Sequence, residues 1–199
     1  MPEMPQLDLR PAADRMARLL VGVPDDALER PTPCPDLRLI DLIGHVGGFA
    51  LAFTAAARKD LGPLTSQPPA PGPVELEPGW RSRVGDDLAA LAAAWEAPDA
   101  WEGMTQAGGV DLPGAVAGRV VLDELVVHGW DIATTTGQIY DCDEASLREV
   151  EGMVRQFRAG SDGEVPGLFG PVVPVADDAP ALHQVLGLTG RDPGWSPPR

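Results

Sequence analysis

Cysteine, histidine and positive charge are all scarce in this 199-residue chain, and each scarcity removes a class of function. Two cysteines, Cys34 and Cys142, are too few for a disulfide scaffold and are not spaced as a redox or zinc pair. Cys34 stands between Pro33 and Pro35, which lack backbone donors, and no basic residue lies beside it in sequence to favour its thiolate. No protein nucleophile is therefore expected. Lys and Arg number 15 against 30 Asp and Glu, a formal charge of -15. So acidic a chain does not readily build the basic face that a nucleic-acid backbone or an anionic membrane requires. No apolar run follows a basic start and no stretch reads as a membrane span, so a cytoplasmic protein is expected. A nucleophile elbow, a phosphate-cradling glycine loop and a dinucleotide fingerprint are also missing.

What is there is 44% hydrophobic residues, enough for one sizeable core, laid out mainly with helical periodicity. Internal repeats and convincing strand alternation are absent, so the expected fold is all-α, with residues 1–160 forming a helical bundle and 161–199 an irregular tail. A first helix is expected from about Leu9 to Val21, with Asp8 as its cap and Met16, Leu19 and Leu20 inward. The TPCPD segment then forces an extended approach to a second helix, about Leu37 to Lys59, that buries Leu39, Leu42, Ile43, Val46, Phe49 and Phe53. Residues 60–79 hold too many prolines for a helix and read as a loop or mobile lid. A third helix spans about Trp80 to Trp95, with Leu88, Leu91, Ala92 and Trp95 inward and Arg81 and Arg83 solvated. The fourth, about Pro113 to Thr136, is apolar nearly all round and belongs at the centre of the bundle. A fifth, about Asp143 to Ala159, turns Leu147, Val150, Val154 and Phe157 inward, and one short helix, about Ala179 to Leu188, lies in the tail.

Glu124 and His128 stand four residues apart in DELVVHGWD, so they share one face of the fourth helix with Val121, Leu125 and Ile132. A carboxylate on a buried face needs a partner, and no Lys or Arg lies within one turn of it. A divalent cation meets that need, because imidazole and carboxylate both ligate first-row metals. His45, at the edge of the apolar face of the second helix, is the natural third ligand, whereas His183 reads as a surface residue of the tail helix. Asp41, one turn before His45, and Asp131, one turn after His128, either orient the imidazoles as acceptors or are solvated helix residues. The structural alternative to a metal is a local Glu–His ion pair beside a hydrogen-bonded histidine. Gly44, Gly47 and Gly48 each cost a helix about 1 kcal/mol, which implies either close helix packing or room for a ligand over the metal. Three protein ligands leave a coordination position open to water or a thiol, as in catalytic sites. Zinc is the first expectation, with nickel, manganese and iron compatible with the same donors.

The segments TPCPDLRLIDLIGHVGGF, ELVVHGWDIATTTG and LGLTGRDPGW together resemble the actinobacterial branch of the DinB-like superfamily related to mycothiol-dependent maleylpyruvate isomerase. The resemblance spans almost the whole chain. It implies a four-helix bundle of the up-down-down-up type, with a metal held by His45, Glu124 and His128 in the positions of the three family ligands. Three histidines are common in the wider superfamily, and this branch places Glu in the middle. The implied activity is a metal-dependent, mycothiol-type thiol S-transfer or isomerisation of a small molecule, with a low-molecular-weight thiol as cofactor; a homodimer is compatible with it. The isomerase carries a further C-terminal domain that helps to hold the thiol, and its thiol-binding positions have no match in residues 161–199. The other reading is a non-catalytic helical bundle that binds a metal or an apolar small molecule.

Overall fold

Each stretch of helical periodicity buries its apolar face against another, and the packing partners follow from those faces. The computed structural model describes residues 7–35, 37–67, 75–160 and 162–197. Its helices are α1 (Arg10–Val21), α2 (Leu39–Ala57), α3 (Trp80–Ala94), the short α4 (Pro98–Trp101), α5 (Gly114–Thr136), α6 (Glu144–Arg158) and α7 (Ala181–Leu188). α1 and α2 each pack against both α3 and α5, so these four enclose the core; α6 lies on α5, and α7 on α6.

Local chemistry sets the helix ends. Asp8 was expected to cap α1, but the N-cap is Leu9, which makes no side-chain cap; Asp8, one residue earlier, accepts the backbone N–H of Arg10 through Oδ1. Asp143 caps α6 by accepting from Ser146 N at 2.8 Å, and Gly137 ends α5 in the left-handed conformation at φ 71°. All six α2 residues expected inward are buried. The 19 residues of α2 do have the length and hydropathy of a membrane span, which corrects the expectation that no stretch would. Over half of that span is buried inside the fold, as in a core helix.

Several other expectations are corrected. The chain does contain strands: β1 (Met104–Ala107) and β2 (Val110–Pro113) pair antiparallel around Gly108 and Gly109, whose φ angles are 57° and 80°. Four-residue strands are too short for alternation to stand out, and the Gly-Gly pair was the available signal. Thr105 Oγ1 donates to Ala56 O at 2.6 Å and pins this hairpin to the end of α2. Arg81 is not simply solvated; its Nη2 donates to Val23 O at 2.7 Å, and its guanidinium lies over the Trp80 ring. On α6, Phe157 is exposed, and Met153 takes its place beside Leu147, Val150 and Val154. The central part of the expected lid, residues 68–74, lies outside the described residues.

The tail is tied down by one side chain. Arg158 is buried, and it donates from Nε to Leu188 O at 2.6 Å, from Nη1 to Gly163 O at 2.7 Å and from Nη2 to Gly170 O at 2.5 Å. Three carbonyls on one guanidinium bring residues 163–170 and the end of α7 back over α5.

Candidate metal centre

α2 and α5 pack side by side, so the edge of one helix meets the polar notch of the other. His45 Nε2 lies 2.9 Å from Glu124 Oε2, and His128 Nε2 lies 3.0 Å from the same oxygen. The imidazole rings stand edge to face with centroids 4.9 Å apart. One ligating atom from each of His45, Glu124 and His128 lies within 4.8 Å of the other two. Burial works against the Glu124 charge, but the hydrogen bonds from His128 and His45 outweigh it and hold the carboxyl well below its usual range.

His128 is oriented from behind. Its Nδ1 lies 2.9 Å from Asp131 Oδ2, and Asp131 is fully buried. Burial alone would lower the imidazolium pKa; the hydrogen bonds to Asp131 and Glu124 prevail and push it up to about 9. Asp131 Oδ2 is in turn 3.3 Å from Arg191 Nη2, a second buried charge brought in by the tail. Asp131 thus stands where an orienting acceptor was expected. At the start of α2 the Asp41 carboxylate accepts from Arg38 Nε at 2.8 Å and Nη2 at 3.0 Å.

The trio opens into a cavity of about 310 Å³, bounded also by Cys34, Phe169 and Arg191. His183, half-buried on α7, belongs to no convergent group of metal-ligating atoms among the described residues. The glycines of α2 do not give room over the trio. Gly44, Gly47 and Gly48 instead line a separate groove toward α3, where a Cβ on Gly47 would meet Val84 at 3.5 Å.

Three participants were not legible in the sequence. Arg191 and Phe169 come from the tail, and nothing local ties either to α5. Asp123 faces inward beside Glu124 with Oδ1 unpartnered; burial and the Glu124 charge push its pKa up to about 7. Cys34 has basic company after all, since folding places His128 within 4.8 Å of its sulfur and Arg191 in electrostatic contact. The motif LTGRDPGW was the one sequence signal for Arg191.

The donor set fits a divalent cation. One carboxylate oxygen is shared by two imidazole nitrogens, so the pair of hydrogen bonds marks a point where three ligands already face one another. Asp131 holds Nδ1 and leaves Nε2 as the nitrogen turned to that point.

Residues 9–133, carrying all three of these side chains, match the profile of the mycothiol maleylpyruvate isomerase N-terminal domain. The chain belongs to that family. An uncharacterized Mycobacterium tuberculosis protein, present in two strains, is 31% identical over 179 residues, covering 87% of this chain and 86% of the relative. Among solved structures, the mycothiol-dependent maleylpyruvate isomerase superposes with TM-score 0.59 at 20% identity, over 78% of this chain and 70% of that one. A histidine-to-alanine mutant of the same enzyme gives TM-score 0.56 at 18% identity. These two likenesses show a shared helical fold.

Proposed function

We propose that this family member is a divalent-metal-dependent enzyme that uses a small thiol, of the mycothiol type, to isomerise a small molecule or transfer a group to it. The observation that carries the reading is the single Glu124 oxygen held 2.9 and 3.0 Å from two imidazole nitrogens at the floor of an open cavity. His45, Glu124 and His128 would hold the ion, zinc first, with nickel, manganese or iron accepted by the same donors. A bound divalent cation supplies a Lewis acid that favours the thiolate of a thiol or polarises a carbonyl. The chain's own part is positional. Asp131 fixes the His128 ring through Nδ1, Arg191 neutralises Asp131, and Phe169 closes one wall against water. The family match and the fold shared with the isomerase support the thiol chemistry. We read the ring of α1, α3, α2 and α5 as the up-down-down-up four-helix bundle, and place the protein in the cytoplasm.

The test is elemental analysis of protein purified without affinity tag or chelator, beside a His45→Ala, Glu124→Ala, His128→Ala variant. About one metal per chain in the first and none in the second is expected, followed by turnover when thiols and small electrophiles are supplied together. A wild type that takes up neither zinc nor nickel defeats the proposal.

A further inference from the structure

The imidazole of His128 has two nitrogens, and a carboxylate faces each. Nε2 looks toward Glu124 and His45, while Nδ1 looks toward Asp131. A third metal-ligating atom is also in place beside His128 and Asp131. Cys34 Sγ, a nitrogen of His128 and an oxygen of Asp131 all lie within 4.8 Å of one another. Asp131 is fully buried, Arg191 engages its Oδ2, and its Oδ1 has no hydrogen-bond partner. A buried carboxylate oxygen without a donor, beside a thiol and an imidazole, is a cation-binding arrangement that retains the Arg191 contact. Cys34 also lines the open cavity, which gives an ion a route in.

The surrounding charge points the same way. Asp123, Glu124, Asp131 and Glu164 gather around this cavity and its floor, and Arg191 is the guanidinium that opposes them. A further positive ion is electrostatically welcome there.

We propose that Cys34, His128 Nδ1 and Asp131 Oδ1 form a second cation site, selective for thiophilic ions, that competes with the His45 site for the one imidazole. On binding, the Cys34 thiol and His128 Nδ1 each give a proton to solvent, and the imidazole keeps its other proton on Nε2, where Glu124 accepts it. With Nε2 protonated, His128 no longer serves His45 and Glu124. A soft ion therefore silences the first site without touching its other two residues. This goes beyond the reading of the His45 site, which zinc stoichiometry judges by itself.

Cadmium is the probe, added to full-length protein stripped of metal, with the ultraviolet thiolate-to-cadmium charge-transfer band as the readout. The band is expected in the wild type, in Cys142→Ser and in Glu124→Gln, and is lost in Cys34→Ser. Cadmium is also expected to displace zinc from the wild type and not from Cys34→Ser. The Cys142→Ser protein leaves Cys34 as the sole thiol, so the assignment stands even where Cys34→Ser fails to fold. No band in Cys142→Ser overturns the proposal. So does its loss in folded Glu124→Gln, which would make Cys34 a ligand of the first site.

Discussion

The two sides of His128 handle the same difficulty in opposite ways. On one side, the ion-pair partners of Glu124 are two imidazoles, groups that carry charge only when protonated. On the other, Asp131 is fully buried and meets the permanent charge of Arg191. A carboxylate with a built-in guanidinium has a permanent counter-charge on one of its oxygens. One held between two imidazoles has none, and the cation proposed there would displace protons on arrival. The same functional group, a carboxylate, thus has its surroundings set by what the tertiary structure brings to it.

That contrast can be broken by exchanging the two readouts. The largest effect is expected from Glu124→Ala, which should take zinc content from about one per chain to none, as read by elemental analysis. Undiminished zinc would show that Glu124 is a structural ion-pair partner. Asp131→Ala should instead unfold more readily, by about 3–5 kcal/mol in urea titration, because Arg191 stays buried without its counter-charge. A loss under about 1 kcal/mol would remove the distinction between the two sides.

Asp143 sharpens the comparison as a carboxylate at the surface. As the α6 cap it accepts from Ser146, and Asp143→Ala should cost about 1 kcal/mol by thermal or urea unfolding. Its partial burial opposes the charge, but the Ser146 hydrogen bonds prevail and lower its pKa. A depressed folded pKa means that its contribution is present above the ordinary carboxylate value and lost as pH falls through the lowered one. The difference between wild type and Asp143→Ala should therefore vanish in strong acid and be constant at neutral pH. The smallest effect belongs to the α2 groove. Gly48→Ala, with nothing within 4 Å of the new Cβ, should raise stability by about 0.5–1 kcal/mol and leave zinc content unchanged. Gly118→Ala, whose Cβ would press on the Trp101 ring, should lower stability in the same assay.

Much of the helical frame was legible because it rests on local periodicity. The stripes of α2 and α3 and the shared face of Glu124 and His128 are all one-turn relationships. Where the reading missed, the deciding contact was remote. Phe157 continues the α6 stripe in sequence, yet tertiary packing leaves it exposed and buries Met153. Arg81, read as solvated, donates to Val23 O across the fold. The glycines of α2 left close packing and room for a ligand both open, and only the packing of α3 shows that they line a groove away from the trio.

The sequence by itself determined the helices, their buried faces and the pairing of Glu124 with His128, since each depends on residues within a few positions of one another. Only the tertiary structure decided what surrounds them: His45 delivered by α2, Arg191 delivered by a tail that Arg158 ties down, and Cys34 brought beside His128 and Asp131. The physical reason is distance along the chain. Periodicity carries information over a turn or two, whereas a buried charge is satisfied by whichever partner the whole fold places within reach.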